Sequence, residues 1–147
     1  MATWLLFCGW YVVENCFVNY CIFNFLLCVT QKNGKKYLPV WLFINGLITL
    51  LAALFQFPGA FFIHVLILFV FARAVLNIQK SELIVPLTII FTFYTLMEGY
   101  SVFIMSWISS NFHSPTGGKL EQVLIPLLLD ILFFCVLKII EKRYSYT

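Results

Sequence analysis

With 147 residues, 63% of them hydrophobic and only 10% charged, and a mean hydropathy of +0.99, the chain lacks the polar surface that a soluble domain of this size needs. The length admits four to six membrane spans of about 20 residues and excludes a separate soluble catalytic domain of ~100 residues beside them. The net charge of +3 does not mark a nucleic-acid surface, because the cations fall between the apolar runs, where they orient a membrane protein.

The reading is therefore an all-α integral membrane bundle, one domain over residues 1–147, with five spans at about 4–29, 38–57, 60–78, 83–109 and 123–140. The first run has neither the basic flank nor the small-residue cleavage site of a secretory signal, so it is expected to be retained. It contains "YVVENCFVNYCIFNF", residues 11–25, which raises the central problem: Glu14, Asn15, Asn19 and Asn24 sit where an unpaired amide or ionised carboxylate is costly. At 100° per residue Glu14, Asn15 and Asn19 can face the bundle interior while Phe17 and Phe25 help cover the other surface. Asn24 points elsewhere, toward helix packing near the membrane boundary. Cys8, Cys16, Cys21 and Cys28 lie in this run at different helical angles, and Cys135 lies far away. They read as small apolar fillers, with no disulfide framework and no metal site.

The gap "TQKNGKK" is a turn built on Asn33-Gly34 with three lysines. In the second run, Asn45, Thr49, Ala52 and Gln56 form a small and polar stripe at i, i+4, i+7 and i+11, suited to close helix contact. After a short "FPG" hairpin, the third run carries His64 and, on roughly the opposite face, Arg73 with Asn77. Arg73 is expected to snorkel or to close an internal, structural ion pair. The fourth run repeats the stripe with Thr88, Thr92, Thr95, Gly99 and Ser106, and Glu98 stands beside it, four residues after Tyr94. The loop "SSNFHSPTGGKLEQ" follows, with His113 read as a solvated residue. The fifth run then places Pro126 four residues before Asp130, so that a bend would free a carbonyl near that carboxyl.

Orientation follows from the basic residues. An outside N-terminus and inside C-terminus place Lys32, Lys35, Lys36, Lys80, Lys142 and Arg143 in the cytoplasm, let Lys138 snorkel there, and leave Lys119 outside. Glu14, Glu98, Asp130 and His64 then share the outer half of the bilayer. Each carboxyl is read either as protonated or hydrogen-bonded helix glue or as part of a ligand, ion or proton site. The ligand-binding candidates are Glu14, Asn15, Asn19, His64, Glu98 and Asp130. No nucleophile elbow, zinc-binding helix motif, phosphate loop or dinucleotide fingerprint occurs, so neither enzyme activity nor a cofactor is expected.

From "FFIHVLILFVFARAVLNIQKSELIVPLTIIFTFYTLMEGYSVFIMSW" to "LLLDILFFCVLKIIEKRY" the chain resembles the N-terminal membrane sensor region of the Agr-type peptide-sensing histidine kinases. The likeness lies in the rhythm of the spans, the acidic residue late in the fourth run and the basic exit of the last. It implies reception of an extracellular peptide and relay to a cytoplasmic effector. The sequence ends at Thr147, so the kinase itself is expected to be absent, and no catalytic residue carries over. The expected function is a cell-membrane receptor or sensor module binding an extracellular peptide or small cationic ligand in an outer-leaflet cavity. The competing classes are an ion- or proton-coupled transporter and a membrane subunit or scaffold of a larger complex.

Overall fold

The computed structural model describes residues 2–55, 57, 60–111 and 119–145, with most of their side chains. Among the described residues five helices follow one another: α1 (Ala2–Thr30), α2 (Leu38–Phe55, entered through a 3-10 turn at Lys35–Tyr37), α3 (Ala60–Ala74), α4 (Lys80–Asn111) and α5 (Lys119–Ser145). No strand occurs among the described residues, in keeping with the all-α expectation. Among the described residues three stretches are long and apolar enough to cross a membrane: Cys8–Thr30, Lys35–Phe55 and Lys80–Ile108. The 15 residues of α3 rise about 22 Å, against roughly 30 Å of hydrocarbon. Helix α5 has the length, but it carries Asp130 just before its midpoint and Lys138, Glu141, Lys142 and Arg143 in its second half.

The helix ends have local causes. Helix α1 stops where Gln31 turns left-handed at φ 54°, and Lys32 N–H returns to the Leu27 carbonyl at 3.1 Å. Helix α3 ends at Ala74 rather than near residue 78, because Asn77 is left-handed at φ 52° and Ile78 N–H closes back on the Ala72 carbonyl at 3.0 Å. Helix α4 opens with a reciprocal cap: Glu82 Oε2 accepts from Gln79 N–H at 3.2 Å while Glu82 N–H donates to the Gln79 carbonyl at 3.1 Å.

Helix α1 is the hub, packed against α2, α4 and α5, while α3 bridges α2 and α4. Half of α1's apolar window is buried inside the bundle, against 22% for the α2 stretch and 18% for α4, so α1 carries most of the interior. An aromatic knot joins α1, α2 and α3: the Phe23 ring lies 6.0 Å from Trp41 and 6.2 Å from Phe71, and Trp41 lies 5.4 Å from Phe71. Phe25, expected on the covering surface, is fully buried in this core. Phe17 does lie nearer the surface and packs on Phe134 of α5 at 5.8 Å.

The two small-residue stripes have different fates. Asn45, Thr49 and Ala52 of α2 are buried as expected, and Gln56 lies outside the described residues. The α4 stripe, expected to be buried in close contact, is exposed at Thr88, Thr92, Thr95, Gly99 and Ser106. Its hydroxyls need no partner helix, since Thr88 donates to the Ile84 carbonyl at 2.7 Å and Thr95 to the Phe91 carbonyl at 2.8 Å. A hydroxyl satisfied within its own helix can face hydrocarbon without an orphaned donor.

Candidate functional site

Two polar groups form inside the bundle, one at the junction of α1 to α4 and one between α1 and α5. The first begins with backbone bonds that each helix makes to its own side chains. On α1, Asn15 Nδ2 donates to the Tyr11 carbonyl at 3.0 Å and Asn19 Nδ2 to the Asn15 carbonyl at 2.8 Å, which leaves both amide oxygens available. On α2, Asn45 Nδ2 donates to the Trp41 carbonyl at 2.8 Å and Thr49 Oγ1 to the Asn45 carbonyl at 2.8 Å. The helices are then tied together by Trp41 Nε1, which donates to the Asn19 carbonyl at 3.2 Å.

His64 enters this frame from α3. Its Nδ1 lies 2.5 Å from Asn45 Oδ1 and its Nε2 lies 3.3 Å from Thr49 Oγ1, so both ring nitrogens face fully buried α2 side chains. Because the Asn45 amide nitrogen is turned toward Trp41, the oxygen that faces His64 is an acceptor, and Nδ1 is the protonated nitrogen of that contact. Beside the ring lies a cavity of about 20 Å³, lined by Asn15, Asn19, Trp41, His64 and Tyr94 with aliphatic side chains from α1, α3 and α4. That volume holds one water-sized group.

The second group is a carboxyl pair. Glu14 of α1 lies close to Asp130 of α5, and Asp130 Oδ2 is buried with no hydrogen-bond partner among the described residues. Two ionised carboxylates offer only acceptors, so such a pair can bond directly only when one of them carries a proton.

The six candidate residues therefore divide. Asn15, Asn19 and His64 gather at the cavity, and Glu14 pairs with Asp130. The side chain of Glu98 lies outside the described residues, as does His113. Arg73, expected in an ion pair, places Nη1 2.9 Å from the Ile78 carbonyl, where it caps the end of α3. The ion pair among the described residues is Lys138–Glu141 at 2.7 Å, on the exposed end of α5. Trp41, Asn45, Thr49 and Tyr94 join the site without having been singled out for it. The i, i+4 spacing of Asn45 and Thr49 was the available signal, and it pointed to helix contact alone.

Comparisons with protein-family models, curated proteins and solved structures find no match to this chain. The functional reading rests on its own residues.

Proposed function

We propose that the chain is a multi-pass cell-membrane receptor or sensor module with five spans, an outside N-terminus and an inside C-terminus. The observation that carries this reading is the cluster of Asn45, His64 and Thr49 beside a cavity at the junction of four helices. Polar groups at membrane depth are costly unless paired, and a cluster that holds several helices in one arrangement is a place where a small input changes packing. At about 20 Å³ the cavity takes a water-sized group, so an extracellular peptide or small cationic ligand would act by parting α1 from α2 and α3. The α5 end, with Lys142 and Arg143 exposed, would pass the movement to a cytoplasmic effector or a membrane partner, as the resemblance to Agr-type sensors implies.

Transport is the second reading, and the closeness of Glu14 and Asp130 favours it, because a pair of carboxyl groups in a membrane suits ion or proton coupling. Proteoliposomes carrying the purified chain separate the two. Uptake of a labelled cation driven by a pH gradient supports transport. Saturable ligand binding with no flux supports the receptor.

A further inference from the structure

We propose that His64 is a proton-binding site and that the Thr49 hydroxyl oxygen is the acceptor that receives the second ring proton. The donors and acceptors around the ring can be counted. Asn45 fixes one side of the ring: its Nδ2 donates to the Trp41 carbonyl at 2.8 Å, so Oδ1 accepts from His64 Nδ1–H at 2.5 Å. On the other side, Thr49 Oγ1 has one proton and two neighbours that accept, the Asn45 carbonyl at 2.8 Å and His64 Nε2 at 3.3 Å.

With the Thr49 proton on the Asn45 carbonyl, Nε2 of a neutral His64 faces the hydroxyl oxygen with no proton between them. A second proton on the ring changes the count. Nε2–H donates to Thr49 Oγ1, Thr49 O–H donates to the Asn45 carbonyl, Nδ1–H donates to Asn45 Oδ1, and Asn45 Nδ2–H donates to the Trp41 carbonyl. Every donor then has an acceptor, with the Thr49 hydroxyl kept on the Asn45 carbonyl as the structure has it. The shorter of the two Thr49 distances is the one this closed circuit uses. The cavity beside His64 has room for one water, which can carry the proton to the ring.

The charge that arrives has identifiable neighbours. Helix α2 supplies no titratable group between Trp41 and Thr49, and α3 supplies only Arg73, whose guanidinium is engaged at Ile78. Helix α1 contributes Tyr11, Glu14 and Cys16 around the cavity-lining asparagines, and α4 contributes Tyr94, with Glu98 one turn further on and its side chain outside the described residues. Helix α5 adds Asp130, which lies close to Glu14. The inference deepens the reading of the His64 cluster as the sensing site and rests on that reading only for what the proton signals.

The test uses the full chain in neutral-lipid nanodiscs with 15N-labelled histidine, on a His113→Gln background so that His64 is the only imidazole. Acidification should convert a spectrum with one protonated ring nitrogen, Nδ1, into one with both protonated. Thr49→Val removes the acceptor for Nε2–H and should require about ten-fold more acid for the same conversion, the effect of losing one hydrogen bond to a charged group. Thr49→Ser, which keeps the hydroxyl, should restore it. An imidazole that stays singly protonated to pH 4 overturns the proposal, and so does a titration that Thr49→Val leaves unmoved in a folded protein. No ligand is present, so a failed receptor assay alongside an intact titration would count against the receptor reading alone.

Discussion

Glu14 near the middle of α1 and Asp130 in α5 lie close together where the first and last of the described helices pack. Two residues of like charge at a helix contact are a liability unless a proton lies between them. Their effects on stability should therefore not be independent. Glu14→Gln and Asp130→Asn, measured singly and together by unfolding in mixed detergent micelles, should show a coupling energy of about 1 kcal/mol. Strict additivity would separate the two residues and remove the pair from any account of transport.

Phe25 and Phe17 test the placement of the α1 faces. Phe25 is fully buried and Phe17 is 38% exposed. Phe25→Ala should cost about 3 kcal/mol of stability and Phe17→Ala about 1 kcal/mol, following the cavity each truncation leaves. Equal losses in the same unfolding assay would mean that α1 is rotated from the arrangement described here.

The turn between α1 and α2 packs tightly on the turn after α3. A Cβ on Gly34 would come within 2.5 Å of Leu76 Cδ2 and 3.0 Å of Leu27 Cδ2, whereas one on Gly99 would meet nothing within 4 Å. Gly34 itself has φ −130°, which any residue adopts, so the penalty of Gly34→Ala is steric. It should destabilise by about 1 to 2 kcal/mol, while Gly99→Ala on the exposed face of α4 should stay within about 0.5 kcal/mol. Thermal shift in detergent resolves that difference.

Orientation can be read with an impermeant maleimide on intact cells. In a background without the native cysteines, a cysteine at position 114 should react and one at position 33 should not. The opposite pattern would invert the proposed topology, placing the Lys32, Lys35 and Lys36 turn outside.

Trp41 reports on the junction itself. Its indole stacks in the aromatic knot, and its N–H bonds the Asn19 carbonyl across the α1–α2 contact. Trp41→Phe retains most of the ring and loses the bond, for an expected cost of about 1 to 2 kcal/mol. Trp41→Ala should cost about 4 kcal/mol. A Trp41→Phe variant as stable as the parent would assign the whole effect to burial of the ring, and none to the bond with Asn19.

Composition and periodicity were sufficient to indicate an apolar all-helical chain and the approximate positions of its helices, because hydropathy and turn chemistry act over a few residues. The burial of Asn45 and Thr49 was likewise visible in their spacing along α2. Periodicity could not say which helix would cover which face. The α2 stripe is buried under His64, while the similar α4 stripe is left exposed, since a threonine bonded to its own i−4 carbonyl is stable in either place. Nor could one-dimensional spacing bring Glu14 to Asp130, divide the asparagines from the carboxyls, or seat His64 on Asn45. Those contacts depend on how α1 is rotated at the centre of the bundle, and that rotation is decided by the packing of Phe23, Phe25, Trp41 and Phe71, residues distant in sequence that must fill one interior.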